Sequence, residues 1–151
     1  MTRRRMGNLE LEELASLIEE KMERTLEGIE KTLGQIMERG LTMEEVRRHM
    51  NGLEEAFSIL SQRWVLQIMV LLLLSGPMRF SEIKKTLGIS SRTLSEKLRR
   101  LRKVGMVERE VEPGPPVSTR YKLSRDGREI ALLTLPLLYR LGRRSLLKGK
   151  E

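Results

Sequence analysis

Between residues 90 and 103 the hydroxyls of Ser90, Ser91, Thr93 and Ser95 are interspersed with the cations Arg92, Arg99, Arg100 and Lys103, and Glu96 is the one acid in the run. Side chains of these types recognise anions. A guanidinium fork can grip the two acceptors on a guanine edge, worth about 1–3 kcal/mol of discrimination. On a helix turning about 100° per residue, Leu94, Leu98 and Leu101 share one side. Arg92, Glu96, Arg99 and Lys103 fall on the other, with Arg100 nearby and Ser95 on the flank. The apolar side would lock such a helix onto a core, and the charged side could enter a DNA major groove. The N-terminal residues of a groove-reading helix meet the base edges, which predicts that role for Ser91, Arg92, Thr93, Ser95 and Glu96, with Arg99 one turn on. Lys84, Lys85, Arg100 and Lys103 suit phosphates, which fix register without reading sequence. Ser81 and Ser90, near the starts of two successive helices, complete the candidate DNA-binding set.

Those side chains need a frame, and the flanking sequence supplies it. "SEIKKTL" reads as a short helix capped by Ser81 and ended by Gly88, and Ser90 or Ser91 caps the next helix, which runs to about Val104. Two short helices joined by a glycine-containing turn form the helix-turn-helix pattern. After Gly105, "MVEREVE" and "VSTRYKL" alternate as strands about the "PGPP" bend at 113–116. Arg120 on this hairpin is within reach of a DNA backbone or minor groove. Upstream, 53–74 reads as one helix, apolar nearly all round in its second half and stopped by Ser75-Gly76-Pro77. A final helix starts near Ser124, with a kink expected at Pro136, and the last ten residues read as a loose tail. The order is that of a winged helix-turn-helix: mostly α, with a small β-hairpin.

Leu11, Leu14, Ile18, Met22, Leu26, Ile29, Leu33 and Ile36 form a stripe with a mean spacing of about 3.6 residues, the period of a straight helix. Gly40 ends that helix. "LTMEEV" starts another, with Thr42 as N-cap and Glu45 closing a capping box; it is expected to stop near Met50, before Asn51-Gly52. The stripe is longer than one small winged helix needs to cover itself, so it is expected to pair with a second chain; the alternative is that it folds back on its own core. The domain organisation expected is a helical dimerisation arm at 1–52, a winged helix-turn-helix domain at 53–127, and a C-terminal helix with a basic tail at 128–151.

Charge is segregated along the chain. Residues 9–55 carry 13 acids and 6 bases, whereas residues 79–109 carry 10 bases and 3 acids; the net formal charge is +8. A basic block favours polyanions, of which nucleic acid is the commonest in a cytosol. A heavily charged thermophile surface, with only five Asn and Gln in all, would explain the abundance of charge but not its segregation. The absence of cysteine excludes disulfides, thiolate metal sites and thiol redox sensing. The single histidine, His49, reads as a surface helix residue; with no phosphate loop or metal-ligand cluster, no enzyme, metal or cofactor is expected. The N-terminus lacks the apolar core of a secretory signal. The longest apolar run, "WVLQIMVLLLL", is too short to span a bilayer, so a cytoplasmic protein is expected.

The segments "ILSQRWVLQIM", "GPMRFSEIKKTLGISSRTLSEKLRRLRKVGMVERE" and "YKLSRDG" resemble the HxlR-type winged-helix transcription regulators, relatives of the MarR group. The likeness covers roughly residues 53–127, and Gly76 to Arg109 is its specific part. It implies a dimeric DNA-binding protein for a two-fold related operator, joined through its N- and C-terminal helices. Many members carry a cysteine ahead of the tryptophan-bearing helix; aligned on Ala56, Asn51 stands there instead. The wing of the family usually ends "PPRVEY". Here it reads "PPVSTRY", so Ser118 occupies the arginine position and Arg120 is shifted towards Tyr121. The function expected is a homodimeric, sequence-specific regulator that sets residues 90–103 in the major groove of double-stranded DNA. The alternatives are an architectural or weakly specific DNA binder, or a winged-helix scaffold for protein interaction.

Overall fold

The computed structural model describes the backbone of residues 3–148, and the side chains of Glu13 and residues 16–142. The chain divides into two compact units, Met1–Gly52 and Leu53–Glu151. In the first, α1 (Arg3–Glu38) is 36 residues long. Gly40 follows it at φ 81°, a left-handed conformation that glycine adopts without a Cβ clash. Of the apolar stripe, Met22 is buried, whereas Ile18, Leu26, Ile29, Leu33 and Ile36 are exposed; the side chains of Leu11 and Leu14 lie outside the described residues.

The second helix, α2 (Met43–Leu60), opens on the predicted capping box. The Thr42 N–H donates to Glu45 Oε2 at 2.9 Å and the Glu45 N–H donates to Thr42 Oγ1 at 3.3 Å. The Thr42 backbone and hydroxyl bonds, and to a smaller degree nearby His49, hold the Glu45 carboxyl below its ordinary range. His49 is exposed, and its Nδ1 lies 2.8 Å from the Glu45 carbonyl oxygen, to which it can donate. The stop expected at Asn51-Gly52 does not occur, because α2 runs on to Leu60. The apolar positions Val46, Met50, Leu53, Phe57 and Leu60 continue through the glycine at helical spacing. A single interior glycine costs a helix only roughly 1 kcal/mol, too little by itself to end it.

The single helix expected over 53–74 is two. α2 ends at Leu60, and α3 is Val65–Ser75. Between them Trp64 takes φ 77°, a region bulky residues rarely visit. The stripe changes phase across this break. The α2 spacing of Leu53, Phe57 and Leu60 would continue to Trp64, Gln67 and Leu71, but the residues that reach the core are Val65, Ile68, Met69 and Leu72, whereas Leu53 and Phe57 are exposed.

The second unit continues through β1 (Met78–Arg79), α4 (Phe80–Leu87), α5 (Ser91–Lys103), β2 (Val107–Glu112), β3 (Ser118–Leu123) and α6 (Arg125–Lys148). The wing is therefore not a lone hairpin. It is a three-stranded antiparallel sheet of order β1-β3-β2, with Met78 opposite Tyr121 and Arg109 opposite Tyr121 on the other edge. Two residues are too short a strand to leave a period in the sequence. The helix α6 includes Pro136 and runs to Lys148, so most of the expected tail is helical; residues 149–151 lie outside the described residues. The core joins the α3 stripe to Ile83, Ile89, Leu94, Leu98, Leu101, Met106, Val107 and Ala131.

Candidate nucleic-acid interface

The helix-turn-helix is built from two caps and a tight turn. At the start of α4 the Glu82 carboxylate accepts the Arg79 N–H at 2.8 Å. The N-cap is therefore Arg79, and Ser81, exposed in the first turn, is not the cap that the sequence suggests. The apolar Phe80 precedes it and packs against the core, which sets the helix start one residue earlier. Gly88 closes α4 at φ 65°, with its N–H on the Lys84 carbonyl at 3.0 Å. Ser90, rather than Ser91, caps α5: its Oγ accepts the Thr93 N–H at 3.2 Å and donates to Thr93 Oγ1 at 2.8 Å. The hydroxyls of Ser90 and Thr93 are thus engaged with each other, whereas Ser91, Arg92 and Ser95 are exposed.

Leu94, Leu98 and Leu101 are 0%, 2% and 0% exposed, so the apolar side of α5 is fully inserted. Its opposite side has two kinds of cation. Arg100 is paired with Glu96 at 3.2 Å. Arg92, Arg99 and Lys103 are exposed and have no carboxylate partner among the described residues, and the same holds for Lys84 and Lys85 on α4. Lys97 points elsewhere, donating from Nζ to Gln62 Oε1 at 3.2 Å, which ties α5 to the turn before α3.

The wing is electrically different. Arg120 is paired with Glu112 at 3.3 Å, and Lys122 lies 3.4 Å from Glu110 and 4.0 Å from Glu108. The register places Glu108 opposite Lys122 and Glu110 opposite Arg120, so the acids of β2 neutralise the cations of β3 across the ladder. Arg120 is thus compensated by a carboxylate, unlike Arg92, Arg99, Lys103, Lys84 and Lys85. Where α5 ends, Ser124 forms a joint: its N–H donates to the Met106 carbonyl at 3.0 Å, and its Oγ donates to the Gly105 carbonyl at 2.6 Å while accepting the Gly127 N–H at 3.0 Å.

Sequence reasoning missed one feature. Arg99, Arg100, Lys103 and Val104 of α5 line an open cleft with Glu55 and Ile59 of α2. Only the four-residue spacing of Glu55 and Ile59, which gives them one helix face, hints at it. Among the described residues no charged or polar side chain is fully buried, and no group of His, Asp and Glu could hold a metal ion. No single described helix is long and apolar enough to cross a membrane.

Residues 59–146 match the model of the HxlR-like helix-turn-helix family. Over 79 residues, 52% of this chain and 72% of the relative, the sequence is 46% identical to the uncharacterized HTH-type transcriptional regulator YvaP of Bacillus subtilis (strain 168). It is 41% identical over 76 residues to the HTH-type transcriptional regulator YodB of the same organism, covering 50% of this chain and 67% of YodB. The solved reduced form of YodB superposes with a TM-score of 0.52 at 31% identity, covering 66% of this chain and 89% of that one. The transcriptional repressor BigR from Xylella fastidiosa gives 0.53 at 25% identity, covering 66% and 92%. With the helix-turn-helix, the three-stranded wing and the α6 joint all inside the matched span, the chain belongs to the HxlR-like helix-turn-helix family.

Proposed function

We propose that the chain is a homodimeric, sequence-specific DNA-binding transcription regulator of the cytoplasm that inserts α5, from Ser90 to Lys103, into the major groove. One observation carries the reading: Arg92, Arg99 and Lys103 stand exposed without carboxylate partners on a helix whose other side buries three leucines. A helix so anchored is rigid, and its uncompensated charge favours a polyanion. Relatives named as transcriptional regulators support the same reading. Arg92 and Arg99 read base edges, with Ser91 and Ser95 beside them, and Lys84, Lys85 and Lys103 hold phosphates. Arg100 and Arg120, each paired with a glutamate, contribute less. Two copies joined through their N- and C-terminal helices read a two-fold related operator.

The test is capture of fragmented genomic DNA by the purified full chain at moderate salt, followed by affinity measurements on the enriched site. A shared inverted repeat is expected. Arg92→Ala and Arg99→Ala should each weaken specific binding by about 1–3 kcal/mol, roughly 5- to 150-fold, with a smaller loss on random DNA. Lys84→Ala should weaken both about equally. Even genomic coverage would replace this reading with an architectural binder. Equal losses for all three variants would remove the base-reading role.

A further inference from the structure

The break between α2 and α3 stands against the preferences of its own residues. Ser61, Gln62, Arg63 and Trp64 include neither glycine nor proline. Trp64, the N-cap of α3, sits at φ 77° and offers the helix start no side-chain hydrogen bond. The left-handed region crowds a Cβ against the following carbonyl, and a side-chain oxygen is the usual cap. A helical φ at Trp64 would relieve that strain and join α2 to α3. Two contacts oppose the change. Lys97 Nζ on α5 donates to Gln62 Oε1 at 3.2 Å, and the Arg63 guanidinium lies 5.2 Å from the Trp64 ring centroid.

The two helices are anchored unequally. α3 buries Val65, Ile68, Met69 and Leu72, whereas no residue of α2 is buried. α2 is therefore the element with less to hold it. It carries Glu55, which lines one cleft with Arg99 and Lys103 of α5 and forms an ion pair with neither. A carboxylate there lowers the positive potential at both cations, since a charge is felt over about 10 Å at 0.1 M salt. The chain bends by 77° between α2 and α3. At 1.5 Å per residue Glu55 is about 12 Å from the break, so straightening carries it about 15 Å.

We infer that Ser61-Gln62-Arg63-Trp64 is a two-position hinge and α2 an acidic flap. Bent, the flap sets Glu55 beside Arg99 and Lys103; straightened, it continues α3 and withdraws the carboxylate. A polyanion on α5 favours the straight form; this consequence, unlike the hinge itself, rests on the proposed function. By linkage, straightening tightens DNA by the factor with which DNA favours straightening.

The chain has no cysteine, so Glu54→Cys and Ser75→Cys, both at exposed positions, place two nitroxides for a double electron–electron resonance distance. Dilution of the labelled full chain with unlabelled chain leaves only distances within one copy. The two Cα atoms are about 32 Å apart on a continuous helix and about 25 Å apart across the observed bend. The shorter distance should dominate, with the longer as a minor population. Gln62→Leu removes the acceptor of Lys97 and should raise the long-to-short ratio about tenfold. Gln62→Glu strengthens that bond and should lower the ratio. Trp64→Gly, at ease with φ 77° and unfavourable inside a helix, should lower it by about thirtyfold. The opposite responses at position 62 keep the test decisive even if loss of the Trp64 ring weakens the fold. A single distance of about 25 Å in the parent and in Gln62→Leu alike, or equal ratios in Gln62→Leu and Gln62→Glu, would overturn the hinge. Captured DNA should raise the ratio in the parent, and should bind Glu55→Gln about threefold more tightly; a ratio unmoved by DNA would overturn the coupling. The expected pattern at positions 62 and 64 in a chain that recovers no DNA would refute the regulator reading and uphold the hinge.

Discussion

Gly127 gives the sharpest test of how the end of α5 is held. A Cβ built there would fall far inside contact distance of the Met106 carbonyl oxygen and would crowd that residue's carbonyl carbon as well. The obstacle is backbone, so no rotamer change relieves it. The same carbonyl accepts the Ser124 N–H at 3.0 Å, and the Gly127 N–H is held on Ser124 Oγ at 3.0 Å. Gly127→Ala must therefore part α6 from the segment that ends α5. Overpacking of this kind costs about 1–3 kcal/mol, and displacing the Ser124 bond from a crowded joint adds about 1–3 kcal/mol. Against this stands a gain of about 1 kcal/mol from replacing a helical glycine by alanine. The net expectation is a loss of about 1–5 kcal/mol, set against the 5–15 kcal/mol typical of a domain. Gly52, also helical, has nothing near its virtual Cβ, so Gly52→Ala should instead stabilise by about 0.5–1 kcal/mol. Urea melts of both variants followed by circular dichroism measure the two signs. A Gly127→Ala midpoint equal to that of the parent would refute the joint.

Two further predictions concern the first unit. The carboxyl of Glu45 is held below its ordinary range by the Thr42 bonds, so its contribution to the α2 start is complete above the unfolded value, about 4.3 for glutamate. It is lost as pH falls through the lower, folded value, and NMR of the Thr42 and Glu45 amides should record fraying of that turn in acid only. Glu45→Gln should remove the pH dependence; a profile unchanged by the substitution would show that another group is responsible. Deleting residues 1–39 leaves the Thr42 cap intact and should give a monomer by sedimentation equilibrium, whereas a truncated chain that remains dimeric would refute dimerisation through the arm.

What was legible in the sequence was whatever repeats locally. The α5 leucines announced their buried side by spacing alone, Thr42-Glu45 announced a helix start by residue type, and the Ser90-Ser91 pair announced another to within one residue. The failures came where a tertiary preference overrode a local one. Gly52 reads as a stop, yet α2 runs through it, because one interior glycine costs only roughly 1 kcal/mol. The helix break before Trp64 lies inside a region whose composition is uniformly helical, and only the one-residue change in stripe phase betrays it. The strand β1 exists because β3 offers it an edge, a fact about residues some forty positions away. The cleft between Glu55 and Lys103 was invisible for the same reason.

The contrast between α5 and the wing follows from that distinction. Both segments are rich in cations, and the sequence alone places Arg99 and Arg120 alike among the candidate DNA contacts, in different roles. On the ladder, acids and bases alternate on facing strands, so register brings Glu108, Glu110 and Glu112 within reach of Lys122 and Arg120. On α5 the only acid is Glu96, whose nearest cation is one turn on, and it neutralises Arg100 alone. Exposed pairs of this kind are worth about 0–1 kcal/mol, so they add little stability to the wing. Their larger effect is on potential: they cancel the wing's field and leave that of α4 and α5 intact. Among the described residues of these segments, uncompensated positive charge is therefore concentrated on the helix-turn-helix, at Arg92, Arg99, Lys84 and Lys85.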